Sequence, residues 1–278
     1  MIAIRAKKRL GQNFLVDGNI VDAIIRAARI GADENVLEVG PGQGALTSRL
    51  CEQAARVVAV EWDRELVPLL REKIGSSDSF EVVHGDILRV DFGELLAVAE
   101  SELWKVVANL PYNISSQVLF KFIDNRSFFS ELILMLQKEV GERLLAPPSC
   151  KDYGILTVLS RMVFDIEKVC LVKPTSFRPV PKVDSVVLRF RVLPANRFAV
   201  NDEKLFRILV KASFSQRRKT LWNCLKSVEL LTDGEMLERV FEQSGIERGR
   251  RGETLSLEEF VFLANTVDRL RGEKCTLL

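Results

Sequence analysis

The 278-residue chain carries 40 lysines and arginines against 38 acids, a formal net charge of +2, and 47% of it is hydrophobic. This is ordinary globular usage, enough for one large domain and a small one, and no apolar run approaches the roughly 20 residues of a membrane-crossing helix. Five scattered cysteines without a Cys-x-x-Cys pair, and a single histidine, His84, exclude a zinc cluster or disulfide framework and point to reduced thiols in a cytoplasmic protein.

The N-terminus is basic but lacks the apolar core and cleavage site of a signal peptide. Asp17 as N-cap, with Ile20, Ile24 and Ala27 at helical spacing before Gly31, predicts a helix over 17–30. A buried strand at 35–40 enters a glycine turn and is followed by a helix at 45–52. Strands at 56–61, 80–84, 104–109 and 131–137, with a helix at 65–74, continue the alternation. Such alternation implies crossover units and a mostly parallel sheet with helices on both faces. β-rich stretches at 164–173 and 185–192, joined by a proline-containing connection, predict an antiparallel pair at the sheet edge. After a linker at 194–197 only helical periodicity remains, over 205–214, 220–228, 234–244 and 256–270. The expected organisation is an α/β domain over 1–194 and a small all-α domain over 195–278.

The strand ends carry the chemistry. Glu38-Val-Gly-Pro-Gly-Gln-Gly44 lies at a strand-to-helix turn, where Gly40 and Gly42 let a ligand approach the backbone. It has neither the Gly-x-Gly-x-x-Gly spacing of a dinucleotide fold nor a triphosphate-binding Gly-Lys-Ser/Thr. Glu61 ends the second strand and can accept ribose hydroxyls, and Asp86 follows the third and can accept from an adenine amino group. Together the three strand ends suit an adenosine-containing ligand lying across the sheet. The fourth strand ends in Asn109-Leu-Pro-Tyr112. An exocyclic adenine nitrogen is a poor nucleophile because its lone pair is delocalised. The Asn109 side-chain carbonyl and the Leu110 backbone carbonyl can each accept one N–H of such an amine. Pro111 stiffens the turn, Tyr112 can stack on the purine, and Phe177 is a candidate second stacking surface. Positioning of this kind needs no metal and no strong base.

Lys8-Arg-Leu-Gly-Gln-Asn-Phe-Leu15, Glu38–Gly44, Asn109-Leu-Pro-Tyr-Asn-Ile-Ser-Ser116, Phe177-Arg-Pro-Val-Pro-Lys-Val-Asp-Ser185 and Phe214-Ser-Gln-Arg-Arg-Lys-Thr220 resemble, in order, the signatures of the KsgA-type small-subunit ribosomal RNA adenine dimethyltransferases. The resemblance covers about residues 5–270. It implies a Rossmann-like class I fold that uses S-adenosylmethionine. Asn13 and Leu15 would lie against the cofactor, Gly40 at its amino-acid end, Glu61 at its ribose and Asp86 at its adenine. Asn109 would stand between donor methyl and target amine, with Tyr112 and Phe177 flanking the target base. The implied substrate is two adjacent adenosines near the 3′ end of 16S rRNA, each dimethylated within the assembling 30S subunit. A related class that methylates large-subunit rRNA and confers macrolide-type resistance is the rival enzyme. A non-catalytic RNA-binding assembly factor is the rival of another kind.

For RNA, the basic clusters suggest phosphate contacts by Arg217, Arg218 and Lys219 and by an N-terminal arm with Arg5, Lys7 and Lys8, the helical domain and catalytic face together forming a basic cleft. A monomer is expected, since no extended apolar seam is visible.

Overall fold

The computed structural model describes residues 6–7, 10–75, 79–96 and 102–276; Arg5 and Lys8 of the expected phosphate-contacting arm lie outside the described residues. In chain order the elements are β1 (Phe14–Leu15), α1 (Gly18–Ala28), β2 (Asn35–Val39), α2 (Thr47–Cys51), β3 (Arg56–Glu61), α3 (Leu66–Ile74), β4 (Phe80–His84), α4 (Phe92–Leu96), β5 (Trp104–Asn109), α5 (Ser115–Asp124), β6 (Phe129–Gln137), α6 (Lys138–Leu145), α7 (Ile155–Val163), β7 (Phe164–Val172), β8 (Phe177–Arg178), β9 (Ser185–Val192), α8 (Glu203–Ser213), α9 (Leu221–Leu225), α10 (Gly234–Ser244) and α11 (Leu257–Thr276).

Seven strands form one sheet in the order β4-β3-β2-β5-β6-β9-β7. The first five are parallel to their neighbours, and β9 runs antiparallel between β6 and β7. The late strands are therefore antiparallel as expected, with β7 at the edge and β9 inserted beside it. Strand order reverses at β2, with β3 and β4 on one side and β5 and β6 on the other. That reversal opens a crevice at the C-terminal strand ends, where open α/β sheets bind ligands. All five residues of β2 are buried, as a strand covered on both faces requires. The core beneath it draws on α1, β2, β3, β5, β6 and β9 through Ile24, Ala28, Val36, Val57, Val107, Ile133 and Val187.

The ends of the elements follow local chemistry. Asp17 caps α1, accepting from the Asn19 N–H at 3.0 Å, and Ser176 Oγ donates to its other oxygen at 2.9 Å. The expected helix at 45–52 shortens to Thr47–Cys51, because Gly44 lies at φ +74° and residues 42–46 wind as turns. The two-residue pair β1–β8, which aligns Phe14 with Arg178 and Leu15 with Phe177, is too short to leave any periodicity in the sequence.

The chain groups into two compact units, 1–141 with 164–192, and 142–163 with 193–278. The sheet belongs to the first. The second contains α7–α11, so residues 142–163 pack with the C-terminal helices. Ser256 and Glu259 close a reciprocal capping box at the start of α11, with N–H···O distances of 3.1 and 2.7 Å. Among the described residues no helix is long and apolar enough to cross a membrane.

Candidate active site

The crevice at the β2/β5 reversal is lined by Asn13, Gly40, Gly42, Glu61, Asp86, Asn109, Leu110, Pro111 and Tyr112. Nine residues named from the sequence thus meet in one cavity, contributed by four strand ends and by the segment that precedes β1.

The glycine turn after β2 is held open by backbone geometry. Gly40 and Gly42 have φ of +65° and +59°, a region that side chains disfavour. A Cβ on Gly42 would also stand 3.0 Å from the Phe14 ring. Glu61, at the end of β3, accepts from the Gly42 N–H at 3.1 Å and from the Asp63 N–H at 2.7 Å. Each carboxylate oxygen keeps a lone pair for a further donor, as a ribose edge would supply. Burial pushes the Glu61 carboxyl up, against the lowering effect of the Asp63 and Gly42 amides. Asp86 accepts from the Leu88 N–H at 3.0 Å through Oδ1, and among the described residues its Oδ2 has a 3.7 Å contact with Arg89.

Asn109 shows its polarity directly. Its Nδ2 lies 3.1 Å from the Asn13 carbonyl oxygen. A carbonyl can only accept, so the NH2 end must face Asn13 and Oδ1 faces away. Among the described residues no donor reaches that oxygen. Tyr112 OH lies 2.6 Å from Ser185 Oγ, which fixes the direction of the ring, and burial raises its phenol. The Leu110 N–H is tied to the Met135 carbonyl at 3.1 Å, anchoring the tetrapeptide to β6.

Two sequence expectations change here. Phe177 is fully buried in the core with Leu15, its cross-strand partner, and neither lines the main cavity. Phe177 thus packs as a support beneath β1, and Leu15 borders a smaller neighbouring cavity together with Glu38, Gly40 and Asn109. Lys7, expected on phosphate, instead lies 2.7 Å from Asp63 Oδ1 and 2.9 Å from Glu65 Oε2. Gln12 Nε2 joins Asp63 at 2.9 Å. This clasp pins the segment before β1 beside β3. Burial would raise the Asp63 carboxyl, but the hydrogen bonds from Lys7 and Gln12 outweigh it and hold it low.

Sequence reading gave no site role to Gln12, Trp62 or Ser185: Gln12 and Ser185 lie inside motifs read for other residues, and nothing in the spacing marks Trp62. Trp62 lines the cavity with over half its surface exposed. Glu38 went unremarked beyond its motif, yet its Oε2 is buried without a partner, and burial pushes its carboxyl up to about 8. The glycine cradle, the hydroxyl acceptors at Glu61 and the carboxylate of Asp86 around one crevice fit a ligand that joins an adenosine to an amino-acid tail. Arg217, Arg218 and Lys219 lie in the second unit, all exposed and, among the described residues, without ion pairs. Among the described residues no cluster of His, Cys, Asp and Glu could hold a metal.

Comparison with known proteins places these features in context. The family model for ribosomal RNA adenine dimethylase matches residues 3–268. A Geobacter metallireducens protein named ribosomal RNA small subunit methyltransferase A is 55% identical over 97% of this chain and 98% of its own length. A Syntrophotalea carbinolica protein of the same name is 50% identical over 95% of this chain and 97% of its own length. Among solved structures, a dimethyladenosine transferase from Plasmodium falciparum superposes with a TM-score of 0.78 at 28% identity, covering 93% of this chain and 98% of that one. The 23S rRNA methyltransferase ErmE gives 0.68 at 26% identity, covering 92% and 100%.

Proposed function

Because the chain belongs to the ribosomal RNA adenine dimethylase family, and so is an rRNA adenine dimethyltransferase of the small-subunit type, we propose that it uses S-adenosylmethionine to dimethylate two adjacent adenosines near the 3′ end of 16S rRNA in the assembling subunit. Bound in the crevice, the cofactor supplies an activated sulfonium methyl. Glu61 would accept its ribose hydroxyls, Asp86 its adenine amino group, and the Gly40–Gly42 turn would hold its amino-acid end. The first unit carries this chemistry, and Arg217, Arg218 and Lys219 of the second hold phosphates.

The single observation that carries the reading is the orientation of Asn109: its NH2 end is committed to Asn13, which leaves Oδ1 as an acceptor at the cavity. That oxygen and the Leu110 carbonyl accept the two N–H groups of a target adenine. Holding both N–H bonds turns the nitrogen lone pair out of the ring plane and toward the donor, so positioning supplies most of the catalysis. The ring of Tyr112, fixed through Ser185, stacks on the base. Each N–C bond would form as the donor's sulfur–methyl bond breaks, leaving a neutral thioether. Once that bond forms, the nitrogen is cationic and acidic enough to release the proton to water without a dedicated base.

Methyl-labelled cofactor, incubated separately with unmethylated small subunits and with large subunits, tests this. The expected product is N6,N6-dimethyladenosine in small-subunit RNA at two neighbouring positions. Label confined to large-subunit RNA would instead assign the chain to the activity named for ErmE.

A further inference from the structure

Trp222 occupies an odd place for the largest kind of side chain. α9 buries Leu221, Cys224 and Leu225, while Trp222 is only partly buried. Its indole leans on Phe241 of α10, ring centroids 5.2 Å apart, and two cations sit over it. Arg248 Cζ is 4.6 Å and Lys226 Nζ 5.5 Å from the ring centroid. The Leu221 N–H donates to the Arg250 carbonyl at 2.7 Å, drawing the basic stretch 248–251 against the end of the 217–219 stretch. Arg250 itself is spent on Glu259. Arg217, Arg218, Lys219, Lys226 and Arg251 are exposed and, among the described residues, pair with no carboxylate. The acid that touches the ring's cations is Glu238, 3.4 Å from Arg248 with both groups about half exposed. Such a pair is worth at most about 1 kcal/mol.

A merely solvated basic face gains nothing from an indole at its centre. We propose that Trp222, with Arg248 and Lys226, is a stacking station for an unpaired nucleobase of the RNA substrate, flanked by the cations that hold its phosphates; this rests on the RNA substrate of the preceding reading. Every base has a face that stacks on an aromatic ring, and guanidinium planes accept bases as well. As RNA docks, Arg248 leaves its weak contact with Glu238 for a phosphate, to which its pairing is stronger, and the indole face opens. An acidic protein surface would use the same cations but would gain little from the ring.

Binding of the full-length protein to a labelled single-stranded oligoadenylate of about a dozen nucleotides, to inorganic polyphosphate and to polyglutamate tests the proposal. Trp222→Leu is expected to weaken oligoadenylate binding about 5- to 100-fold and leave polyphosphate binding unchanged, while Trp222→Phe retains most of the affinity. In a Trp62→Phe background, which silences the indole at the cavity, emission should be quenched by the oligonucleotide, and that quench should be largely lost on adding Trp222→Phe, which keeps the test decisive if the leucine variant does not fold. Equal oligoadenylate binding by wild type and Trp222→Leu would overturn the proposal. So would an equal loss on polyphosphate, or tighter binding of polyglutamate than of the oligonucleotide. Methylation of small subunits by the wild type is a separate arm: its failure would remove the substrate reading while the oligonucleotide result stood on its own.

Discussion

An amide at position 109 has two ends of opposite chemistry, and the Asn13 carbonyl decides which one meets the cavity. Asn109→Ala removes the acceptor and is expected to lower methyl transfer on the order of 10²–10³-fold, the range seen when one preorganised hydrogen-bonding group is deleted beside a reacting centre. Cofactor affinity, measured by calorimetry, should fall far less, because Glu61 and Asp86 are untouched; equal losses in both would mean that Asn109 only shapes the pocket. Glu38 gives a second prediction at this scale. Its carboxyl is raised from 4.5 to about 8 by burial. Between those values the unfolded chain has released the proton and the folded chain keeps it. Stability is therefore lost as pH climbs from about 4.5 to 8, by on the order of a few kcal/mol. Glu38→Gln removes that dependence. Its thermal midpoint should gain on the wild type steadily from pH 5 to pH 8, and parallel curves for the two proteins would refute the assignment.

At the scale of elements, α6 meets β9 where Gly141 lies against Val186. A Cβ at Gly141 would be driven into the Val186 side chain, and Val186 is itself almost wholly buried. Gly141→Ala should destabilise by about 1–3 kcal/mol through overpacking. Val186→Ala alone costs stability by opening space, yet the double variant should recover part of the loss. A double-mutant cycle by chemical denaturation reads this coupling, and additive losses would show that the contact is relieved elsewhere. The sequence made much of this level legible. The apolar runs of β2, β3 and β5 and the acids that end or follow their neighbours declared a parallel sheet and its working edge, because burial on both faces leaves few alternatives. Gly141 gave no sign of its partner, which is brought to it by the β6–β9 pairing. The same holds for α5, whose start lies inside a motif read for its chemistry. A motif aromatic such as Phe177 can either stack on a ligand or fill a core. The pairing that seats it in the core beside Leu15 is not written in the spacing.

At the scale of the whole chain, cofactor chemistry and substrate grip draw on different residues, so they should separate under mutation. The residues assigned to the cofactor all lie in the unit of 1–141 and 164–192, whereas Arg217, Arg218 and Lys219 lie in the other. The near-neutral total charge of +2 hid this, because the acids are spent elsewhere: Asp63 and Glu65 neutralise Lys7, and Glu259 neutralises Arg250. What matters for a polyanion is which cations are left unpaired, a quantity composition cannot give. Replacing Arg217, Arg218 and Lys219 together with alanine removes three such charges without touching the crevice. Each phosphate contact contributes roughly 0.7 to the slope of log affinity against log salt on single-stranded RNA. If all three contact phosphate, the triple variant should bind small subunits with a slope shallower by about 2, and should lose most affinity at low salt, where counterion release favours binding most. Cofactor affinity should match the wild type. A slope unchanged across a salt series would place the phosphate contacts on other residues, whereas a fall in cofactor affinity would show that the two functions are coupled through the fold.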